Sequence, residues 1–174
     1  GLGHGTNIGK FSDQMGDNLA SIDLGTGRTA TAISSGGNHT CALLDDASVK
    51  CWGKNDKGQL GQGSTSNLGD GGSEMGDNLA AIDLGTGRTA NAISAGGNHT
   101  CALLDNALVK CWGRNYHGVL GLGSGTDIGI TSGEMGDNLT AIDLGSGRTA
   151  NAISVGNLHS CALLDNGSVK CWGH

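Results

Sequence analysis

The sequence predicts an all-β fold made of three copies of one 60-residue unit. Three observations carry that expectation. Cys41, Cys101 and Cys161 each open the run C-A-L-L-D, Cys51, Cys111 and Cys171 each open C-W-G, and Met15, Met75 and Met135 each open M-G-D-N-L. Every spacing is 60, with no insertion. Between these landmarks, apolar residues alternate with small or polar ones in short runs bounded by Gly, Asn and Asp, the period-2 pattern of strands. The third observation is composition. With 34 Gly, no Pro and only three Trp, one Tyr and one Phe, the core falls to Leu, Ile, Val, Ala and Trp.

The chain, 1–174, reads as one repeat domain with units at 1–60, 61–120 and a shortened 121–174. Gly1 is in phase with Gly61 and Gly121, and His174 with Lys54 and Arg114, so the chain starts and stops inside a unit. That is expected of a ring sewn together by both termini, or of an excerpt from a longer array.

In the middle copy, 79–84 (LAAIDL) alternates and fits a short strand. A Gly85-Thr86-Gly87 turn follows, and 89–95 fits a second strand ended by Gly96-Gly97. Residues 100–104 and 108–112 fit a third and a fourth. No segment sustains a 3.6 period, so helices should be few. The last two strands form a hairpin. In the third copy its turn, Asp165-Asn166-Gly167, suits a type I turn closed by a left-handed glycine. That loop sets Leu164 against Ser168 and Cys161 against Cys171, where a cross-strand bridge is feasible. Ala47 and Ala107 take the left-handed position in the other copies, at greater cost than glycine. The leading reading of the three C-x9-C pairs is therefore Cys41–Cys51, Cys101–Cys111 and Cys161–Cys171, each worth roughly 2–3 kcal/mol by loop closure. Reduced core cysteine and a zinc site are the alternatives, the latter lacking the usual short ligand spacing.

Four antiparallel strands per unit, repeated, describe one blade of a β-propeller, whose sheet faces must be covered by neighbouring blades. The run C-A-L-L-D-x-x-x-V-K-C-W-G-x-N-x-x-G-x-L-G-x-G spans 41–63 and 101–123 and begins again at Cys161, each time preceded by G-x-x-H-[TS]. This pattern resembles the repeat of the regulator-of-chromosome-condensation family, in the cysteine-containing version common in extracellular proteins. The resemblance implies a propeller, typically of seven blades, that binds proteins through loops on its faces. It also brings in the family's founding activity, guanine-nucleotide exchange on a small GTPase. Two features depart from the pattern. Three copies fall short of the roughly four blades a ring needs, so the propeller should be incomplete, completed by oligomerisation, or part of an array. Ala20, Ala80 and Thr140 stand where the family often has proline.

The formal net charge is −6 and no Lys/Arg cluster exists, which disfavours nucleic acid and anionic membrane surfaces as partners. No apolar run approaches the roughly 20 residues of a membrane span. Paired cysteines point to an oxidising compartment, extracellular or at the cell surface.

The copies are nearly uniform from M-G-D-N-L to C-W-G and diverge afterwards, which separates scaffold from surface loop. Residues unique to their copy are the candidate partner contacts: Phe11, Lys54, Asp56, Lys57, Tyr116, His117 and Ile130. Asn38, Asn98, Asn138 and Asn166 begin N-x-[ST] sequons and are candidate glycan acceptors. His39, His99 and His159 read as buried histidines bonded to backbone, and Trp52, Trp112 and Trp172 as packing between blades. Arg28, Arg88 and Arg148 read as structural ion pairs or turn clamps with Asp23, Asp83 and Asp143 or with Asp17, Asp77 and Asp137. Asp70 and Asp127 match no established calcium loop, and no phosphate-cradle motif occurs, so no metal or cofactor is expected. Titratable groups recur every 60 residues, whereas an active site is a unique, asymmetric grouping, so catalysis is not expected either. The expected function is a non-catalytic extracellular scaffold that binds a protein partner or self-associates. The alternatives are a subunit of an extracellular filament or surface array and, less favoured, a nucleotide exchange factor.

Overall fold

A computed structural model describes residues 8–174. Gly1 lies outside the described residues. Among the described residues nine strands form three separate antiparallel sheets, one per unit. β1 (Ala30–Ser35), β2 (His39–Leu44) and β3 (Val49–Gly53) make the first sheet. β4 (Ala90–Ala95), β5 (His99–Leu104) and β6 (Val109–Gly113) make the second. β7 (Ala150–Val155), β8 (His159–Leu164) and β9 (Val169–Gly173) make the third. The helical content of the described residues is confined to short 3-10 turns such as Gly76–Asn78 and Gly136–Asn138.

The β2–β3 hairpin and its repeats have the predicted register. Cys41 opposes Cys51, Cys101 opposes Cys111, and Cys161 opposes Cys171. Each pair is a disulfide, with Cα atoms 4.0–4.1 Å apart. The Leu164 N–H donates to Ser168 O at 2.8 Å, and the Gly167 N–H closes the turn onto Leu164 O at 3.0 Å. Gly167 has φ 82°, and Ala47 and Ala107 both hold φ 62° in the same turn. A bulge at Thr31, repeated at Asn91 and Asn151, bends the first strand of each sheet.

The blades have three strands rather than four. Residues 79–84 leave the short turn with Leu79 extended and make no ladder of their own. The Ile82 N–H donates to Val49 O (2.8 Å), and the Ile142 N–H to Val109 O (2.8 Å), so the segment lies along the last strand of the preceding sheet. Its alternation reflects burial: Leu79, Ile82 and Leu84 are inside while Ala80, Ala81 and Asp83 face solvent.

Sheets stack face to face. One face carries the disulfide with a Leu and a Val; the next sheet answers with Ala, Ile and Trp. In the first joint Cys41, Leu43, Val49 and Cys51 cluster with Ile82, Leu84, Ala90 and Trp112. The second joint repeats this with Cys101, Leu103, Val109 and Cys111 against Ile142, Leu144, Ala150 and Trp172. Val49 and Val109 are fully buried there, each worth roughly 1.5–3 kcal/mol. Trp112 Nε1 donates to Gln59 O at 3.1 Å and Trp172 Nε1 to Val119 O at 2.8 Å, so the indoles tie blade to blade. Backbones also approach closely: a Cβ on Gly96 would sit 2.5 Å from Gly156 O, which leaves no room for a side chain.

Charged residues fasten the joints. The Lys50 ammonium donates to Leu24 O (2.9 Å) and Gly76 O (2.8 Å), and Lys110 does the same with Leu84 O and Gly136 O. Burial lowers the Lys110 pKa, against the pull of Asp137 and Asp83. Asp77 accepts from the Thr26 N–H and hydroxyl (2.8 and 2.6 Å), and Asp137 from those of Thr86 (2.9 and 2.5 Å).

Candidate protein-interaction face

The loop after the last strand of a blade is organised by one buried asparagine. Asn55 is fully buried; its Nδ2 donates to Ser64 O (2.7 Å), its Oδ1 accepts from the Leu60 N–H (2.9 Å), and its own N–H reaches Asn67 Oδ1 (3.0 Å). Asn115 repeats the arrangement with Ser124, Leu120 and Asp127. A hub this well satisfied holds the neighbouring side chains on a rigid support.

What the support presents differs between copies. In the first, Lys54 Nζ pairs with Asp56 Oδ2 at 3.2 Å on the surface. In the second, Tyr116 replaces Asp56, so the intraloop carboxylate is gone. The Arg114 guanidinium instead lies 5.2 Å from the Tyr116 ring centre. Tyr116 is 70% exposed and meets His117 edge-on at 4.4 Å. His117 in turn lies 4.6 Å from His174. The His174 N–H donates to Leu158 O, as the Lys54 and Arg114 N–H groups do to Asn38 O and Asn98 O, so His174 fills their slot one blade on. Arg114, Tyr116, His117 and His174 thus form a row of donors and aromatic rings across the second joint, beside a cleft lined by Asn98, His99, Val119, Asn157 and Leu158.

The other candidates are placed as follows. Phe11 is 61% exposed and stands with Lys10, 5.8 Å from its ring centre. The Ile130 backbone packs against Gly58, next to Lys57. Glu134 accepts from the Gly129, Ile130 and Thr131 N–H groups and so shapes that loop. Glu74 does the same at 69–71, and these N–H bonds, led by that from Gly71, hold its pKa below the usual range. Among the sequon asparagines, Asn38, Asn138 and Asn166 are exposed and Asn98 is half-buried. Asn98 is followed by the buried His99 and Thr100.

Sequence reasoning passed over Arg114 and His174 as members of the row. The signal was their shared phase with Lys54, which puts all three at one height on successive blades. Two other readings are corrected. His39 and His99 are buried as expected but also bond across the joint to hydroxyls, His39 Nε2 to Thr100 Oγ1 (2.8 Å) and His99 Nε2 to Ser160 Oγ (3.0 Å), whereas His159 is exposed. The arginines pair with the hairpin aspartates, Arg28 with Asp45 and Asp46, Arg88 with Asp105 and Arg148 with Asp165, because Asp23, Asp83 and Asp143 cap the Gly25, Gly85 and Gly145 N–H groups instead. Among the described residues no group of three or more His, Cys, Asp or Glu is placed to hold a metal ion, and no helix is long and apolar enough to cross a membrane.

Small antiparallel sheets stacked face to face, with loops presented along the rim, define a β-propeller repeat protein. The regulator of chromosome condensation (RCC1) repeat matches at residues 30–59, 91–119 and 151–174, and the chain carries three repeats of that family. It is 28% identical over 172 residues to the human E3 ubiquitin-protein ligase HERC2, covering 99% of this chain and 3% of that protein. To the Arabidopsis thaliana ultraviolet-B receptor UVR8 it is 28% identical over 173 residues, covering 99% of this chain and 34% of the receptor. The chain therefore spans about a third or less of the relatives it matches. Among solved structures, yeast RCC1 (Prp20) bound to Kap60 superposes with a TM-score of 0.61 at 22% identity, over 83% of this chain and 32% of that one. Human WBSCR16 superposes with 0.62 at 18% identity, over 92% and 36%. These likenesses establish the fold.

Proposed function

We propose that the chain is a non-catalytic extracellular scaffold that recognises a protein partner through the rim containing Arg114, Tyr116, His117 and His174. One observation carries the reading: an exposed tyrosine stacked with an arginine that has no carboxylate of its own, both held on a buried-asparagine support. Tyr and Arg are the side chains most often found as anchors in protein interfaces. Lys54, Asp56, Lys57, Ile130 and Phe11 extend the contact surface on neighbouring loops. Three disulfides support an oxidising compartment. In such a compartment Asn166, exposed at its hairpin tip, is the best-presented glycan acceptor. Relatives of this fold support protein binding, since yeast RCC1 (Prp20) is held by Kap60 in one structure and Prp20p has binding properties to Gsp1p and histones.

The test is capture by the immobilised, oxidised chain from secreted or cell-surface proteins, repeated with Tyr116→Ala and Arg114→Ala variants of unchanged circular dichroism. A partner lost with either variant supports the reading. A partner indifferent to both, or bound only by the reduced chain, overturns it. Nucleotide exchange on a small GTPase is the competing activity, and an assay without acceleration removes it.

A further inference from the structure

Arg114 stands apart among the arginines. Arg28, Arg88 and Arg148 each pair with a hairpin aspartate, whereas Arg114 forms no ion pair among the described residues. The first copy shows a carboxylate in the matching place. There Asp56 is gripped on both oxygens, Oδ2 by Lys54 Nζ at 3.2 Å and Oδ1 by Gln59 Nε2 at 3.4 Å. In the second copy Tyr116 stands for Asp56 and Val119 for Gln59, so the anion and its second donor are removed together while the cation stays. Both positions belong to the surface of the loop. The Lys54 and Asp56 side chains are 46% and 48% exposed, although the next repeat's loop packs against Gly58 at Ile128 and Ile130. The Arg114 guanidinium sits over the Tyr116 ring, 5.2 Å from its centre. The ring takes one side of the cation, and the N–H fork that meets a carboxylate with two parallel bonds remains open. The cleft beside it is lined by Asn98, Val119, Asn157 and Leu158 among others, and its lining holds no Asp or Glu. The net charge of −6 opposes a strongly acidic partner, so the match is a single carboxylate in an otherwise neutral segment.

We propose that Arg114 receives the carboxylate of one Asp or Glu side chain of the protein partner, in the place that Asp56 fills within the first copy. Tyr116 and Leu158 supply the apolar contact around it. What one repeat satisfies internally, the next leaves for a partner to satisfy. This deepens the proposed recognition through the rim and rests on it.

The test selects random peptides, displayed with blocked C-termini, on the immobilised, oxidised chain. The selected sequences are expected to share one Asp or Glu. The same peptide made with Asn or Gln at that place should bind roughly 10- to 100-fold more weakly, the range of a charge-assisted hydrogen bond. Arg114→Gln should cost the acidic peptide a similar factor, and the loss is expected for the acidic peptide only. Tyr116→Asp, which gives the second copy the internal carboxylate of the first, should abolish the preference for acid over amide. Both changes are at the surface, and each chain is used with its circular dichroism unchanged. Selected peptides without a shared acidic residue, or an acidic peptide that Arg114→Gln binds as well as the native chain does, overturn the proposal. If such peptides still lose binding with Tyr116→Ala, recognition through the rim stands while the carboxylate pairing falls, so the two fail separately.

Discussion

His39 on the first blade and Thr100 on the second meet 2.8 Å apart inside a joint, and His99 repeats the contact with Ser160 at 3.0 Å. Both rings are almost wholly buried, and burial drives their pKa from 6.5 down to about 4. The joints are thus built for neutral imidazole.

Stability is therefore expected to fall in acid. Between pH 6.5 and 4 the unfolded chain binds protons that the folded chain refuses, so the contribution is complete above pH 6.5 and drains away as pH drops to about 4. Each histidine accounts for roughly 3 kcal/mol at most. Urea unfolding at pH 7.5 and 4.5 reads this directly. His99→Gln should flatten the dependence, and a native chain equally stable at both values would refute the buried-neutral assignment.

Ala47 and Ala107 occupy a left-handed conformation that glycine fills in the third copy. Ala47→Gly and Ala107→Gly are each expected to stabilise by about 1 kcal/mol, and Gly167→Ala to destabilise by a similar amount. Thermal melts of the three variants check the sign.

The disulfides differ in cover. Cys41, Cys51, Cys101 and Cys111 are buried, while Cys171 is exposed and Cys161 half-buried. Under mild reductant, alkylation followed by mass mapping should find Cys161 and Cys171 labelled first. A Cys101→Ser/Cys111→Ser pair should lose roughly 2–3 kcal/mol in chemical unfolding.

Asn115→Ala removes the hub's two side-chain hydrogen bonds, one buried and one partly buried, and leaves the backbone bond to Asp127. A cost of roughly 1–3 kcal/mol is expected, because the Leu120 N–H and Ser124 O lose partners. Amide exchange over 115–127 should rise more than in the sheets, which tells loop loosening from global loss.

The hairpins were legible in the sequence because their information is local: a turn residue fixes register, and register fixes which cysteines meet. Residues 79–84 were misread as a strand because alternation records which side chains are buried, not where N–H groups bond. The partner of Ile82 lies 33 positions earlier, on another blade. The histidine and arginine partners were missed for the same reason. Thr100 lies 61 positions from His39, beyond any local pattern. For the rim, uniqueness within each copy picked out Tyr116 and His117 directly. It passed over His174 because that residue belongs to the row only through the blade stacking.

Every covalent cross-link lies within one hairpin, and none joins two sheets. Tension applied at the two ends would therefore unspool the protein in instalments. Each yielding blade would release about 50 residues, roughly 170 Å of contour, while its ten-residue sulfur-closed loop stayed shut. Extension in a reducing bath would lengthen each instalment by that loop.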